Sequence, residues 1–265
     1  MDSWHVVALA LVQGLTEFLP VSSSAHLILL PLVAQWPDQG LTFDVAVHVG
    51  TLAAVVAYFR RDLGKMLADW FESLRVRRAV GESRMVWFVV AATIPAGLAG
   101  LLVEFLFPQG LRSPLVIAST TIGFGLLLWW TDAVGGQARD EHGIAWRDVL
   151  IIGCAQALAV IPGTSRSGVT ITAGRALGLS RPAAARFSFL LSIPVIILAG
   201  SLKAYEALLT ASTTQWAPLA TGSVVAFLSA YLCIDVFLKL MARMSLLPFV
   251  VYRLVLGVVL LALVL

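Results

Sequence analysis

Glu17, three consecutive serines (Ser22, Ser23 and Ser24) and His26 stand together in a stretch that is otherwise apolar. A carboxylate, a hydroxyl and an imidazole are the residue types of an activated nucleophile and its base. Gln13 lies four residues before Glu17, on the same helix face. That pair suits a cation, one hydrogen-bonded ligand, or a bond to a neighbouring helix. A second group lies far along the chain. Arg166 sits between Ser165 and Ser167, with Pro162, Gly163 and Thr164 before it and Gly168 and Thr170 after it. An arginine inside a membrane needs an anionic partner. Glu17 is one candidate and an anionic ligand is the other. Glycines let the backbone approach such a ligand, helix N-termini bind phosphate, and a guanidinium grips it in bidentate fashion. The chemistry indicated is that of a phosphate or pyrophosphate held in lipid.

The elements carrying these residues resemble each other. Pro20 aligns with Pro162, Ser22 with Thr164 and Ser23 with Ser165, with one residue of slack back to Gln13 and Gln156. Each copy reads as a short apolar helix broken at proline and restarted by hydroxyl residues; Ser is also a preferred N-cap. Six apolar runs are long enough to span a bilayer: 42–60, 85–107, 114–131, 183–204, 217–239 and 247–265. The segments 3–34 and 146–178 are interrupted and read as re-entrant hairpins, a geometry tolerated only when buried in protein or lining a polar cavity. A hairpin returns the chain to its own side and three spans carry it across, so the second unit must be inverted relative to the first. The expectation is an all-α polytopic membrane protein of about ten helices, built as an inverted repeat of one re-entrant hairpin plus three transmembrane helices. It forms one integral membrane domain over 1–265, with repeats of about 1–135 and 145–265 and the site between the hairpin tips near the midplane.

Composition agrees. The chain is 59% hydrophobic and 12% charged, half the charge of a soluble domain at about 25%. Met1-Asp2-Ser3 offers no basic n-region, so no cleavable signal peptide is expected. Cys154 and Cys233 both lie in apolar segments and imply neither a disulfide framework nor a metal cluster. In this topology Arg60, Arg61, Lys65, Arg75, Arg77, Arg78 and Arg84, in a loop, share a side with Arg139, Arg147, Arg175, Arg181, Arg186, Lys239 and Arg243. Only Arg112 and Lys203 fall opposite. The positive-inside rule then places the N-terminus and the first hairpin outside. Asp44 and His48, four apart, are support for the site or a bond between helices. Arg186 and Arg253 read as interfacial or supporting residues. The architecture alone equally suits an inverted-repeat lipid-phosphate flippase or secondary transporter. Nucleophile, base and phosphate clamp at one place favour an enzyme.

The stretch from Gln13 to His26 resembles the first signature of the bacterial undecaprenyl-diphosphatase (bacitracin-resistance) family, and Pro162 to Thr170 resembles the second. Phe43-Asp44 through Thr51, Phe187 to Leu191 and Pro248 to Arg253 add to the resemblance, which covers essentially the whole chain. The resemblance implies an inner-membrane hydrolase that converts undecaprenyl pyrophosphate to undecaprenyl phosphate and inorganic phosphate. It also implies recycling of the carrier lipid for peptidoglycan, bacitracin resistance, and dependence on a divalent cation such as Mg2+ or Ca2+; the charge count, not the resemblance, puts the opening of the site on the periplasmic side. The partners implied are a polyprenyl pyrophosphate and membrane lipid, not nucleic acid; a homodimer is compatible. Glu17, Ser23, His26, Ser165, Arg166 and Thr170 match the family's catalytic positions. Ser22, Gly163, Thr164 and Ser167 fall to substrate binding, and Glu17 with Gln13 to the metal. Gln13 stands where the family often has a second glutamate, which weakens that metal pair. The implied mechanism has Ser23 attack the terminal phosphorus with His26 as base and then acid, while Glu17 orients His26 or holds the metal. Direct attack by His26 or by water are the variants.

Overall fold

Apolar sequence becomes helix throughout the structure, a computed structural model that describes residues 2–37, 39–107, 113–136, 138–210 and 216–264. Among these residues there are eleven α-helices: α1 (Ser3–Thr16), α2 (Ser23–Ala34), α3 (Leu41–Tyr58), α4 (Arg60–Val76), α5 (Ser83–Leu106), α6 (Pro114–Val134), α7 (Trp146–Ala157), α8 (Arg166–Ala176), α9 (Arg181–Thr210), α10 (Trp216–Met241) and α11 (Leu247–Val264). Five of them, α3, α5, α6, α9 and α10, contain stretches long and apolar enough to cross a membrane. The sixth expected span is α11, which is apolar but of 18 residues. Its stretch Leu247–Leu263 is one residue shorter than α3, the shortest of the five. Residue 265, its expected end, lies outside the described residues.

The basic loop expected after residue 60 is in fact largely helical. Over α4, charges alternate with Leu67, Phe71 and Leu74, which are exposed, while Met66 is buried. Charge density hides this helix from a search for apolar runs, yet its two-faced pattern is that of a helix lying along an interface.

Helix α1 packs along α10, and Gly14 is the reason they come so close: a Cβ there would meet Ser229 Oγ at 1.9 Å and Ala226 O at 2.7 Å. Close approach through small residues is the usual packing of helices in membranes. In the second half α7 packs along α5, α3 lies against α9, and α6 lies against α11. Helix α8, the restarted half of the second broken element, is buried along most of its length, whereas α2 packs chiefly on α1 and stays partly exposed.

Arg175, one of the charges counted on the basic side, is fully buried. Its Nε donates to Asp132 Oδ1 at 3.1 Å, and its other nitrogens donate to the carbonyls of Gly135, Gly136 and Leu179. Arg181 also donates to Asp132, at 2.7 Å, and the Leu246 amide donates to the same carboxylate at 3.0 Å. One aspartate thus ties α6 to α8, α9 and the start of α11. Arg186 is half-buried and paired with Asp62 of α4 and with Glu141. Arg112 lies outside the described residues.

Candidate active site

The two broken elements share one local conformation. Helix α1 ends at Thr16, the chain turns through Leu19-Pro20-Val21, and α2 starts at Ser23 behind Ser22, whose φ is +73°. Helix α7 ends at Ala157, and after a 3-10 turn and Pro162-Gly163-Thr164 the chain restarts as α8 at Arg166 behind Ser165, whose φ is +69°. A non-glycine residue in this left-handed region is uncommon and is held there by its surroundings. The two left-handed serines therefore correspond, and residue n of the first element matches residue n + 143 of the second: Ser3 with Trp146, Gln13 with Gln156, Ser22 with Ser165. The register expected from the prolines was one residue out, and the slack back to the glutamines disappears. Ser23 thus corresponds to Arg166, so the first residue of each restarted helix carries a reactive or charged group.

The tips touch. Ser167 Oγ donates to Leu19 O at 2.8 Å. Arg253 on α11 is fully buried and donates to Pro20 O at 3.2 Å in the first tip. It also donates to Gly163 O at 2.9 Å and Thr164 O at 3.1 Å in the second, and to Thr121 O at 3.1 Å on α6. Of the two roles expected of Arg253, interfacial or supporting, these contacts give the second: it is the pin through both tips. Gly163, with φ +87°, lets the turn pass beneath α6, where a Cβ would meet Thr120 Oγ1 at 2.3 Å.

At the junction Glu17 is the hub. Its Oε2 accepts from Ser23 Oγ at 2.7 Å and from Gln13 Nε2 at 3.1 Å, and its Oε1 pairs with Arg166 at 3.1 Å. Arg166 also donates to Ser188 O at 3.0 Å. His48 Nε2 stands 3.8 Å from Glu17 Oε2, while its Nδ1 bonds Asp44 O at 2.7 Å. The carboxylate and guanidinium are only 9% and 12% exposed, so each compensates the other in a poorly hydrated site. They border a cavity of about 330 Å³ that is also lined by Ser22, Ser23, Ser165, His48, Asp44 and Lys203.

The expected residues divide accordingly. Glu17, Ser22, Ser23, Ser165 and Arg166 line the cavity. Ser165 Oγ also caps α8 by accepting from the Gly168 amide at 3.1 Å. Thr170 is turned away and bonded to Ser188 Oγ at 2.7 Å. Gly163, Thr164 and Ser167 are built into the tip behind the wall. His26 does not reach Ser23 or Glu17. Its Nδ1 is 2.7 Å from Ser22 O, its Nε2 is bonded to Tyr252 Oη, and the two rings stack at 5.6 Å. A carbonyl only accepts, so Nδ1 carries the proton and Nε2 receives the tyrosine hydroxyl. Tyr252 was not singled out for the site and Arg253 only as interfacial or supporting; their signals were a polar pair inside an apolar terminal helix and the match over Pro248 to Arg253.

The metal pair is tested by the same contacts. Gln13 is fully buried, turns its Nε2 to Glu17, and leaves Oε1 without a hydrogen-bond partner away from the cavity wall. No group of three His, Cys, Asp or Glu that could hold a metal occurs among the described residues. Glu17 is a single carboxylate already engaged by Arg166, with Asp44 further along the wall. That set does not fit a resident cation held by protein alone. It fits a Mg2+ that arrives on phosphate oxygens and takes one or two carboxylates.

A family model described as "Bacitracin resistance protein BacA" matches residues 6–259. The chain belongs to that family. It is 60% identical over 266 residues to "Undecaprenyl-diphosphatase 2" of Stutzerimonas stutzeri, covering 99% of this chain and 98% of the relative. It is 57% identical to "Undecaprenyl-diphosphatase" of Nitrosococcus oceani and 57% identical to that of Thioalkalivibrio sulfidiphilus, each over 98% of both chains. Both tips, their restarted helices and the Arg253 pin lie inside the matched range, which begins within α1.

Proposed function

We infer that this BacA-family protein is an undecaprenyl-diphosphatase: it hydrolyses undecaprenyl pyrophosphate to undecaprenyl phosphate and inorganic phosphate in the bacterial inner membrane. Near-full-length identity to relatives of that name supports the activity. The single observation that carries the site is the contact of a nucleophile, a base and an anion clamp at one point: Ser23, Glu17 and Arg166.

In the mechanism we propose, the pyrophosphate takes Arg166 from Glu17. This frees Glu17 Oε1, while Oε2 stays 2.7 Å from the Ser23 hydroxyl, within reach for general-base catalysis. Ser23 Oγ attacks the terminal phosphorus, and the bond to the bridging oxygen breaks. The Ser23 proton passes to Glu17 and on to the departing lipid phosphate. Water then attacks the phosphoserine and gives a proton to Glu17; inorganic phosphate leaves, and the Ser23 oxygen regains the proton. Arg166 and the amides at the starts of α2 and α8 hold the transferring phosphoryl group, where such reactions draw most of their catalysis. Glu17 would hold the divalent cation that comes with the pyrophosphate, and that cation would neutralise phosphate oxygens. His48, beside Glu17, is a further group for moving a proton.

The same reading takes the two halves as an inverted repeat of re-entrant hairpins. The shared offset of 143 between the starts of α1 and α7 and of α2 and α8, and the pairing of α1 with α10 and α7 with α5, support it. The cavity then opens to the periplasm. In a Cys154→Ser/Cys233→Ser background, an impermeant thiol reagent on intact cells is expected to label Trp216→Cys and not Ala79→Cys; the reverse would invert the orientation. The activity itself is tested by phosphate release from undecaprenyl pyrophosphate by purified protein with added Mg2+, wild type beside Arg166→Ala. Turnover that collapses in the variant supports the reading. A folded wild type without turnover contradicts it.

A further inference from the structure

The two restarted helices are closed in different ways. In α8 the Ser165 carbonyl accepts from the Val169 amide at 2.9 Å, and Ser165 Oγ caps the Gly168 amide at 3.1 Å. At the matching place in α2 the Ser22 carbonyl lies 3.4 Å from the His26 amide, beyond the usual range of such a bond. Ser22 Oγ makes no cap bond among the described residues and stands 3.3 Å from Ser24 Oγ instead. The first turn of α2 therefore has neither the cap nor the tight backbone bond of α8, although Ser22 holds the same uncommon left-handed conformation. The His26 side chain supplies the substitute: its Nδ1 donates to the Ser22 carbonyl at 2.7 Å. Tyr252 Oη donates to Nε2, which keeps the proton on Nδ1. The carbonyl that His26 grips belongs to the planar Ser22–Ser23 peptide, whose other end is the Ser23 nitrogen. Holding that plane sets the direction of the Ser23 side chain, whose Oγ meets Glu17 at 2.7 Å. Two consecutive residues of α11 thus fix the first tip, Arg253 directly at Pro20 O and Tyr252 through His26 at Ser22 O.

We infer that His26 is a positioning residue: its Nδ1–H, kept in place by Tyr252, locks the left-handed Ser22–Ser23 peptide so that the Ser23 hydroxyl stays on Glu17. The inference rests on the phosphatase reading above and replaces the base expected of His26. Two observations select this role over proton transfer. Neither His26 nor Tyr252 is among the residues that line the cavity. Both ring nitrogens are also committed, Nδ1 as donor to a carbonyl and Nε2 as acceptor from a hydroxyl.

The test separates the two ring nitrogens by substitution. Asparagine carries an amide nitrogen at the place of Nδ1, and glutamine carries one at the place of Nε2. Melting temperature, kcat and KM for phosphate release from undecaprenyl pyrophosphate are measured on the same preparations of wild type, His26→Asn, His26→Gln and His26→Ala. His26→Ala and His26→Gln are expected to lose about a hundredfold in kcat with a smaller change in KM, the loss that follows a misplacement of about 1 Å. His26→Asn keeps the donor to Ser22 and is expected to stay within about tenfold of wild type, the worth of a single hydrogen bond. An imidazole that moved protons or attacked phosphorus could not be replaced by an amide. A folded His26→Asn as slow as His26→Ala would therefore overturn the positioning role and return His26 to the chemistry. A folded His26→Ala or His26→Gln with wild-type kcat would overturn it too, because the grip on Ser22 would then be dispensable. If His26→Ala does not melt cooperatively, His26→Gln carries the comparison. A wild type that releases no phosphate would remove the phosphatase reading, and the positioning role with it.

Discussion

Replacing Arg253 by lysine keeps a buried positive charge at the meeting of the two tips but changes the number and direction of its donors. The guanidinium serves four carbonyls at 3.2 Å or less, those of Thr121, Pro20, Gly163 and Thr164. An ammonium has three donors on one atom, so at least one of these buried carbonyls loses its partner. An orphaned buried acceptor costs about 1–3 kcal/mol, and the more strongly hydrated ammonium adds to that. A chain of this size loses about 2–4 °C of melting temperature per kcal/mol, so a fall of several degrees is expected in detergent. The second consequence is catalytic. Arg253 holds Pro20, three residues from Glu17, and Thr164, two residues from Arg166. Letting the tips drift by about 1 Å costs on the order of a hundredfold in rate. Arg253→Lys should therefore lower kcat about a hundredfold with a smaller change in KM. Thermal unfolding and steady-state phosphate release measured on the same preparation decide it. A variant with wild-type melting temperature and kcat would refute the claim that Arg253 sets the tips in register.

Two further substitutions probe other links. Tyr252→Phe removes the hydroxyl that occupies His26 Nε2; it is expected to cost about 1 kcal/mol of stability and less than about tenfold in kcat. A loss of several hundredfold would bring His26 into the chemistry. Asp148, near the start of α7, is buried, which opposes its charge, but Arg139 and the Ala145 amide donate to it and hold its carboxyl below the usual range. Its stabilising contribution is then complete above the unfolded carboxylate value of about 3.9 and lost as pH falls through the lower folded value. Asp148→Asn should melt lower than wild type at neutral pH, by about 1–3 kcal/mol, with the gap closing toward about pH 3. A gap that stays constant over that range would sink the assignment.

What could be read in the sequence follows the range of the interactions involved. The tips were legible because proline, glycine and clustered hydroxyls inside apolar helix are local signals, and Glu17 and Arg166 stood out because charge in a membrane demands a partner. Their mutual pairing was one of two partners considered for Arg166. The interfacial helix α4 was not legible as helix because its charges mask its periodicity. Arg175 was counted only as one of the basic side's charges because nothing nearby in the chain reveals Asp132 beneath it. The base beside Ser23 was assigned to His26 from its residue type, its nearness in the chain and the family resemblance. Tyr252, which engages His26, lies 226 residues away, and the carboxylate that Ser23 reaches lies six residues back around the turn. Register at the tips depends on two left-handed serines, a backbone property that alignment on prolines cannot supply.

The central claim is that hydrolysis takes place where Ser23 meets Glu17. The most direct measurement is single-turnover phosphate release from undecaprenyl pyrophosphate by wild type, Ser23→Ala and Glu17→Gln, with acid-stable phosphoprotein trapped by rapid quench. The account predicts a phosphoserine at position 23 in wild type and a loss of about three orders of magnitude or more in either variant, as expected when a nucleophile or its base is removed. Ser23→Ala turning over within a few-fold of wild type would contradict it.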